Sequence, residues 1–281
     1  MAKKKKGILS YIISFITLIF NIIKWIVVSI YKLIKFIIMG IVGLIKKGGT
    51  RVKNAHAENK RPKIKAEYDE FIELEKNEGN LKAIESKLCK NKSLIGIIFG
   101  SRGSGKSAIG MRILENVHAK TGRKTYALGF KKENLPSWVH PINSIKEVGQ
   151  NSFLLADESG IEFSSRNTMS GANKLLSELL LISRHKDISV LFISQNSSNI
   201  EINTLRQADY LIFKRPSLLQ LDFERKKIKE IYSEIKDKFA KYEENKGVCY
   251  IYSNEYQGFA SNSLPSFWSE NVSKSYRDKG K

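Results

Sequence analysis

Eight consecutive residues, Gly100, Ser101, Arg102, Gly103, Ser104, Gly105, Lys106 and Ser107, repeat the spacing of a phosphate-binding loop. The glycines let the backbone wrap closely with its N–H groups turned inward. A helix that starts at the end of the loop, through Ala108, adds the positive end of its dipole. Lys106 then suits the β- and γ-phosphates of ATP, and the Ser107 hydroxyl suits Mg²⁺. A second group lies at the end of the apolar run 153–156, where Asp157 and Glu158 follow each other. The pair gives Asp157 as a carboxylate for Mg²⁺ and Glu158 as a general base for an attacking water. An acid directly after the magnesium aspartate marks the P-loop enzymes that couple hydrolysis to mechanical work rather than the small-molecule kinases.

A third group is the stretch 181–195, in which Ser183, Arg184 and His185 end a helix and Gln195 closes a strand. Ligands of parallel sheets sit beyond the carboxyl ends of the strands. If this strand lies between those that deliver the phosphate loop and Asp157, Gln195 is placed to touch the γ-phosphate or the lytic water; the plainer reading is a polar residue closing a strand. Arg184 suits a finger reaching a neighbouring subunit's nucleotide, and a surface arginine at a helix end fits equally. Arg166 and Arg206 are weaker candidates for that role, and His185 reads as structural.

The elements that must position these groups alternate. Apolar strands are expected at 94–99, 124–130, 153–157, 190–194, 209–213 and 247–252, with helices at 105–120, 172–185 and 218–242. Strands of this kind interleaved with helices predict an α/β fold, a mostly parallel sheet covered on both faces. Residues 68–90 are charged and read as one or two short helices broken near Gly79. The aromatic stretch 257–268 is expected to pack on the core.

The N-terminus is different in kind. Residues 8–45 are rich in Ile, Leu, Val and Phe and hold no proline and no acid, after a basic tip. The run is too long for a signal peptide and no small-residue cleavage site follows it. Placed on a helix, Ser10, Ser14, Thr17, Asn21, Lys24, Lys32, Lys35 and Lys46 fall in one sector of about 80°. A single crossing, an in-plane amphipathic anchor and a hairpin all fit this stripe. Residues 1–65 carry fifteen Lys or Arg against one acid, Glu58, so fourteen of the twenty net positive charges lie there. Anionic lipid is the simpler partner for them, at about 1 kcal/mol for each basic side chain near the surface. The expected organisation is a basic tip and membrane helix over 1–46, a basic linker and charged helical segment over 47–90, flexible as far as Lys65, and a P-loop domain over 91–281 on the cytoplasmic side. Cys89 and Cys249 have neither metal nor disulfide spacing.

The order of these motifs, followed by the segment 199–210 with Arg206 and Asp209, and by Lys214, resembles the zonula occludens toxin-like ATPases. These are the filamentous-phage assembly ATPases and their viral and archaeal relatives, in the FtsK–HerA branch of P-loop motors. The resemblance spans residues 95–214. It implies a RecA-like core with strands added between the two Walker strands, a homo-oligomeric ring, and movement of DNA or virion structural proteins at a membrane. In the phage assembly proteins the membrane segment follows the ATPase domain, whereas here it precedes it, as in DNA translocases and conjugation coupling proteins. The main expectation is therefore a membrane-anchored, Mg²⁺-dependent ATPase driving virion assembly or DNA translocation. The alternatives are a DNA-packaging or conjugative-type translocase or helicase whose anchor only fixes its location, and a nucleotide-gated scaffold with little turnover.

Overall fold

The computed structural model describes residues 15–21, 23–26, 28–40, 61–90, 92–158, 169–269 and 272, the side chains of 169–176 excepted. Contacts divide the chain into two units, Met1–Asn59 and Lys60–Lys281. In the first, every described residue is helical. Its apolar side chains lie open: Phe20, Trp25 and Phe36 are 68%, 71% and 78% exposed. Among the described residues no helix is long and apolar enough to cross a membrane. The rest of the apolar run expected at 8–45, with Ser10, Ser14 and Lys46 of its polar stripe, lies outside the described residues. So does the expected linker as far as residue 60.

The second unit is built on one nine-stranded sheet in the order β1-β9-β8-β7-β2-β6-β5-β3-β4. Its strands are β1 Ile72–Gly79, β2 Ile95–Phe99, β3 Lys124–Leu128, β4 Val139–Ile142, β5 Ser152–Asp157, β6 Ser189–Ile193, β7 Tyr210–Phe213, β8 Cys249–Ser253 and β9 Tyr256–Ser261. From β7 to β4 all neighbours run parallel. On the other side β8, β9 and β1 extend the sheet antiparallel. The helices are α1 Leu81–Lys90, α2 Lys106–Thr121, α3 Met169–His185, α4 Ile202–Arg206, α5 Leu218–Phe223, α6 Lys226–Ile235 and α7 Lys238–Lys241.

Side chains alternate across the sheet, as a period of two requires. Phe153 and Leu155 of β5 and Leu191 and Ile193 of β6 join Ile84 of α1 and Ile109, Ile113 and Leu114 of α2 in one core cluster. Leu154, Ala156, Val190 and Phe192 join Leu179 of α3 and Ile228, Ile231 and Tyr232 of α6 in the other. Because helices cover both faces, β2, β5 and β6 are buried at every position. Cys249 sits in this interior, and burial pushes its thiol up to about 11.

Four local expectations are corrected. The charged segment 68–90 is not wholly helical: residues 72–79 form β1, and only the part from Leu81 is a helix. Its alternating Glu and Lys are tolerated because β1 is an edge strand that leaves most of both faces to solvent. The edge strand β4 went unread because Pro141 breaks the strand pattern, which a sheet edge accepts. The single helix expected over 218–242 is three short helices, α5 to α7. Residues 61–65, expected to belong to the flexible linker, are fastened to the domain, for Arg61 is 5% exposed and its guanidinium donates to the carbonyls of Leu135, Pro136 and Val139.

From Arg61 the chain runs along α2. Glu115 of α2 accepts from the Glu67 and Ser266 amides at 3.1 and 3.0 Å and pairs with Arg112 at 3.1 Å. Arg112 donates to the carbonyls of Glu67 and Leu264. Two distant stretches of chain are thereby fastened to the helix that starts at the phosphate loop. The aromatic stretch near the C-terminus packs on the core, with Phe259 and Phe267 buried.

Candidate active site

The chain leaves β2 at Gly100, where the loop is pressed against β7's continuation: the Ser101 amide donates to the Arg215 carbonyl at 3.2 Å. A Cβ on Gly100 would stand 2.6 Å from Cβ of Lys214 and 2.8 Å from Oγ of Ser104, so the close approach requires glycine. Gly105, at φ 87°, is left-handed and caps α2 with no side-chain hydrogen bond. The first N–H groups of α2 therefore have no capping side chain to compete with an anion. Lys106, 7% exposed, turns its ammonium back on the loop and donates to the carbonyls of Gly100 and Ser101, at 2.8 Å each. Burial lowers its pKa, with the charges of Asp157 and Glu158 opposing that shift. The Ser104 hydroxyl is buried without a hydrogen-bond partner.

The acidic group stands beside the loop because β6 pairs with both β2 and β5. Ile98, Ile193 and Asp157 are level across the three strands. With neighbouring strands ~4.8 Å apart, the ends of β2 and β5 lie ~10 Å from each other, a gap that fits a phosphate chain. Asp157 is 6% exposed at the carboxyl end of β5. Next to it, Glu158 is held from β6's side. Its Oε2 accepts from the Ser194 hydroxyl at 3.1 Å and the Gln195 amide at 2.9 Å, and its Oε1 from Asn199 Nδ2 at 2.6 Å. Gln195 is exposed at this same edge, so the strand order expected from the sequence brings it to the mouth of the site.

The loop 195–200 rests in turn on α5. Gln220 Nε2 donates to the Gln195 carbonyl at 2.7 Å. Buried Glu224 accepts from the Ser197 amide at 2.8 Å and from its hydroxyl. Arg225 donates to the carbonyls of Ser197 and Ile200 at 3.0 and 2.7 Å. Sequence reasoning missed Ser194, Asn199, Gln220, Glu224 and Arg225. The one local signal was the spacing of Gln220 and Glu224, four apart as on one face of the longer helix expected from the sequence, although Glu224 is extended just past the end of α5.

The candidate arginines lie elsewhere. Arg184 is exposed at the end of α3, before β6 begins, and so at the amino edge of the parallel strands, opposite the phosphate loop. Arg206 is exposed at the end of α4, just ahead of β7, at that same edge. Within one subunit neither flanks the loop. Arg166 lies outside the described residues. His185 is exposed beside Arg184.

An Mg²⁺ ion bound with a nucleotide takes most of its ligands from phosphates and water, and needs few from protein. The Ser107 hydroxyl at the start of α2 and the Asp157 carboxylate at the end of β5 are oxygen donors at that edge of the sheet, and their chemistry fits the ion. Gly100 to Ser107, with Ala108 in the first helical turn, would hold the nucleotide.

No family model matches the chain, and no curated protein matches it. Among solved structures, it is similar to the DNA-packaging ATPase B204 of Sulfolobus turreted icosahedral virus. That match has 16% identity and a TM-score of 0.45, over 62% of this chain and 99% of that one. It is similar also to the genome packaging NTPase B204 of Sulfolobus turreted icosahedral virus 2 in complex with AMPPCP. There the identity is 15% and the TM-score 0.43, over 62% and 98% of the two chains. Likenesses this distant carry no substrate or partner across.

Proposed function

We propose that this chain is an Mg²⁺-dependent P-loop ATPase that moves DNA, attached to a membrane through its N-terminal helix. The observation that carries the hydrolytic reading is the insertion of β6 between β2 and β5, which puts Lys106, Asp157, Glu158 and Gln195 at one edge of the sheet. In the proposed reaction Lys106 leaves the carbonyls of Gly100 and Ser101 for oxygens of the β- and γ-phosphates. Glu158 takes a proton from a water molecule as that oxygen forms its bond to the γ-phosphorus. The bond from phosphorus to the bridging oxygen breaks and ADP departs. Ser107 and Asp157 would hold Mg²⁺, which when bound would supply charge neutralisation at the phosphates. Gln195 orients the water, and Arg184 is assigned as a finger only for a neighbouring subunit of a ring.

The membrane assignment is supported by the open apolar side chains of the N-terminal helix and by the lysines and arginines around it. The DNA assignment is supported by the order of motifs over 95–214. The test is ATP turnover by the full chain, in micelles, with and without double-stranded DNA. Turnover that depends on Lys106 and rises with DNA is the expected result. Turnover indifferent to DNA but raised by virion structural proteins would favour the assembly reading instead. Co-sedimentation with anionic vesicles that survives removal of residues 1–46 would overturn the anchor.

A further inference from the structure

We propose that Asn199 is a positioning residue that parks the Glu158 carboxylate against the end of β6, so that hydrolysis requires the carboxylate to be released; this rests on the ATPase reading above. A carboxylate offers about four lone-pair sites. Two of Glu158's are committed outright, one on Oε2 to the Gln195 amide and one on Oε1 to Asn199, and the single proton of the Ser194 hydroxyl is shared between Oε2 at 3.1 Å and the Asn196 carbonyl at 2.9 Å. A general base needs an oxygen turned to the water from which it takes a proton. A carboxylate fastened at both oxygens to the strand beside it is not free to turn.

The three holds are unequal. The Ser194 hydroxyl is buried, and the Gln195 amide is fixed by the path of β6. Around them the loop is locked to α5 through Gln220, Glu224 and Arg225. Asn196 closes the turn ahead of Asn199 by accepting from the Ser198 amide at 2.8 Å. Asn199 differs: it is exposed, and its amide makes the shortest of the three contacts, 2.6 Å. It is thus the one hold that a partner arriving at the carboxyl edge can withdraw without unfolding the loop. Withdrawal frees Oε1 and lets the carboxylate swing from β6 toward the gap between β2 and β5.

The test is steady-state ATP hydrolysis by the full chain in micelles with Mg²⁺, without DNA, for the wild type, Asn199→Ala and Asn199→Asp. Asn199→Ala is expected to raise kcat about tenfold with KM for ATP unchanged, which at 1.36 kcal/mol per decade is the size of one hydrogen bond to a charged group. Asn199→Asp replaces the donor by a carboxylate of the same shape facing Glu158, and is expected to raise kcat at least as far. The double variant Asn199→Ala with Glu158→Gln should be as slow as Glu158→Gln alone. If kcat is unchanged or falls in both single variants while Lys106-dependent turnover persists, the parking role is wrong and the ATPase reading stands. If a variant turns over in a Lys106-dependent way where the wild type does not, both are supported. If no form turns over, both fall.

Discussion

Glu75 and Glu158 are both carboxylates held by three donors, and they are held for different ends. Glu75, on edge strand β1, accepts from Lys238 at 2.6 Å, Tyr242 at 2.7 Å and Lys241 at 3.2 Å. The hydrogen bond from Lys238 leads, with Tyr242 and Lys241 behind it, in pulling its pKa down to about 2. Such a group stays charged well below the ordinary carboxylate range and ties β1 to α7. Glu158 is held by a hydroxyl, a backbone amide and a side-chain amide, all neutral, on a loop that borders the phosphate site. Cations fix a carboxylate for good, whereas neutral donors keep it placed and leave it available. The contrast separates an acid that ties down a sheet edge from the one proposed as the base.

The sharpest way to break this contrast lies beside Glu158. Lys106→Ala removes the buried ammonium turned back on the loop, and turnover should fall below detection with the far-ultraviolet circular dichroism unchanged. Next in size is a third carboxylate, Glu115, fully buried with Arg112. Glu115→Ala strands that guanidinium without its charge partner and releases the amides of Glu67 and Ser266. A loss of ~3–5 kcal/mol in unfolding free energy is expected in denaturant melts. The smallest effect belongs to Glu75. Glu75→Gln should cost under ~1 kcal/mol at pH 7, since both lysines that pair with it are exposed. Its folded pKa lies below the ordinary 4.5, so its contribution is present above that pH and is lost as pH falls toward about 2. Melts at pH 7 and pH 2 should show the variant and the wild type converging, with turnover at pH 7 the same in both.

Some of this was legible in the sequence because it is local. The phosphate loop is eight adjacent residues, and Asp157 and Glu158 end one apolar run. The strand order that brings Gln195 to the same edge entered only as a condition suggested by the resemblance, and β6 does lie between β2 and β5. What could not be read is what distance in sequence hides. Asn199 stands 41 residues from the carboxylate it holds, and Glu224 27 residues from Ser197. The anchor of Arg61 on carbonyls 74 residues away has no pattern at all in the chain around it. β1 was mistaken for helix because an edge strand pairs through its backbone and leaves its side chains free to be charged. Three short helices read as one because the turns between them contain no glycine or proline.

The proposed function assigns Glu158 as the base of an ATP-hydrolysing site built from Lys106, Ser107 and Asp157. It is tested most directly by measuring ATP binding and turnover on one preparation of full-chain Glu158→Gln. ATP should be bound in the presence of Mg²⁺ as by the wild type, with turnover slower by ~10²–10⁴-fold, the range of general base catalysis. Binding and turnover both at the wild-type level would contradict it.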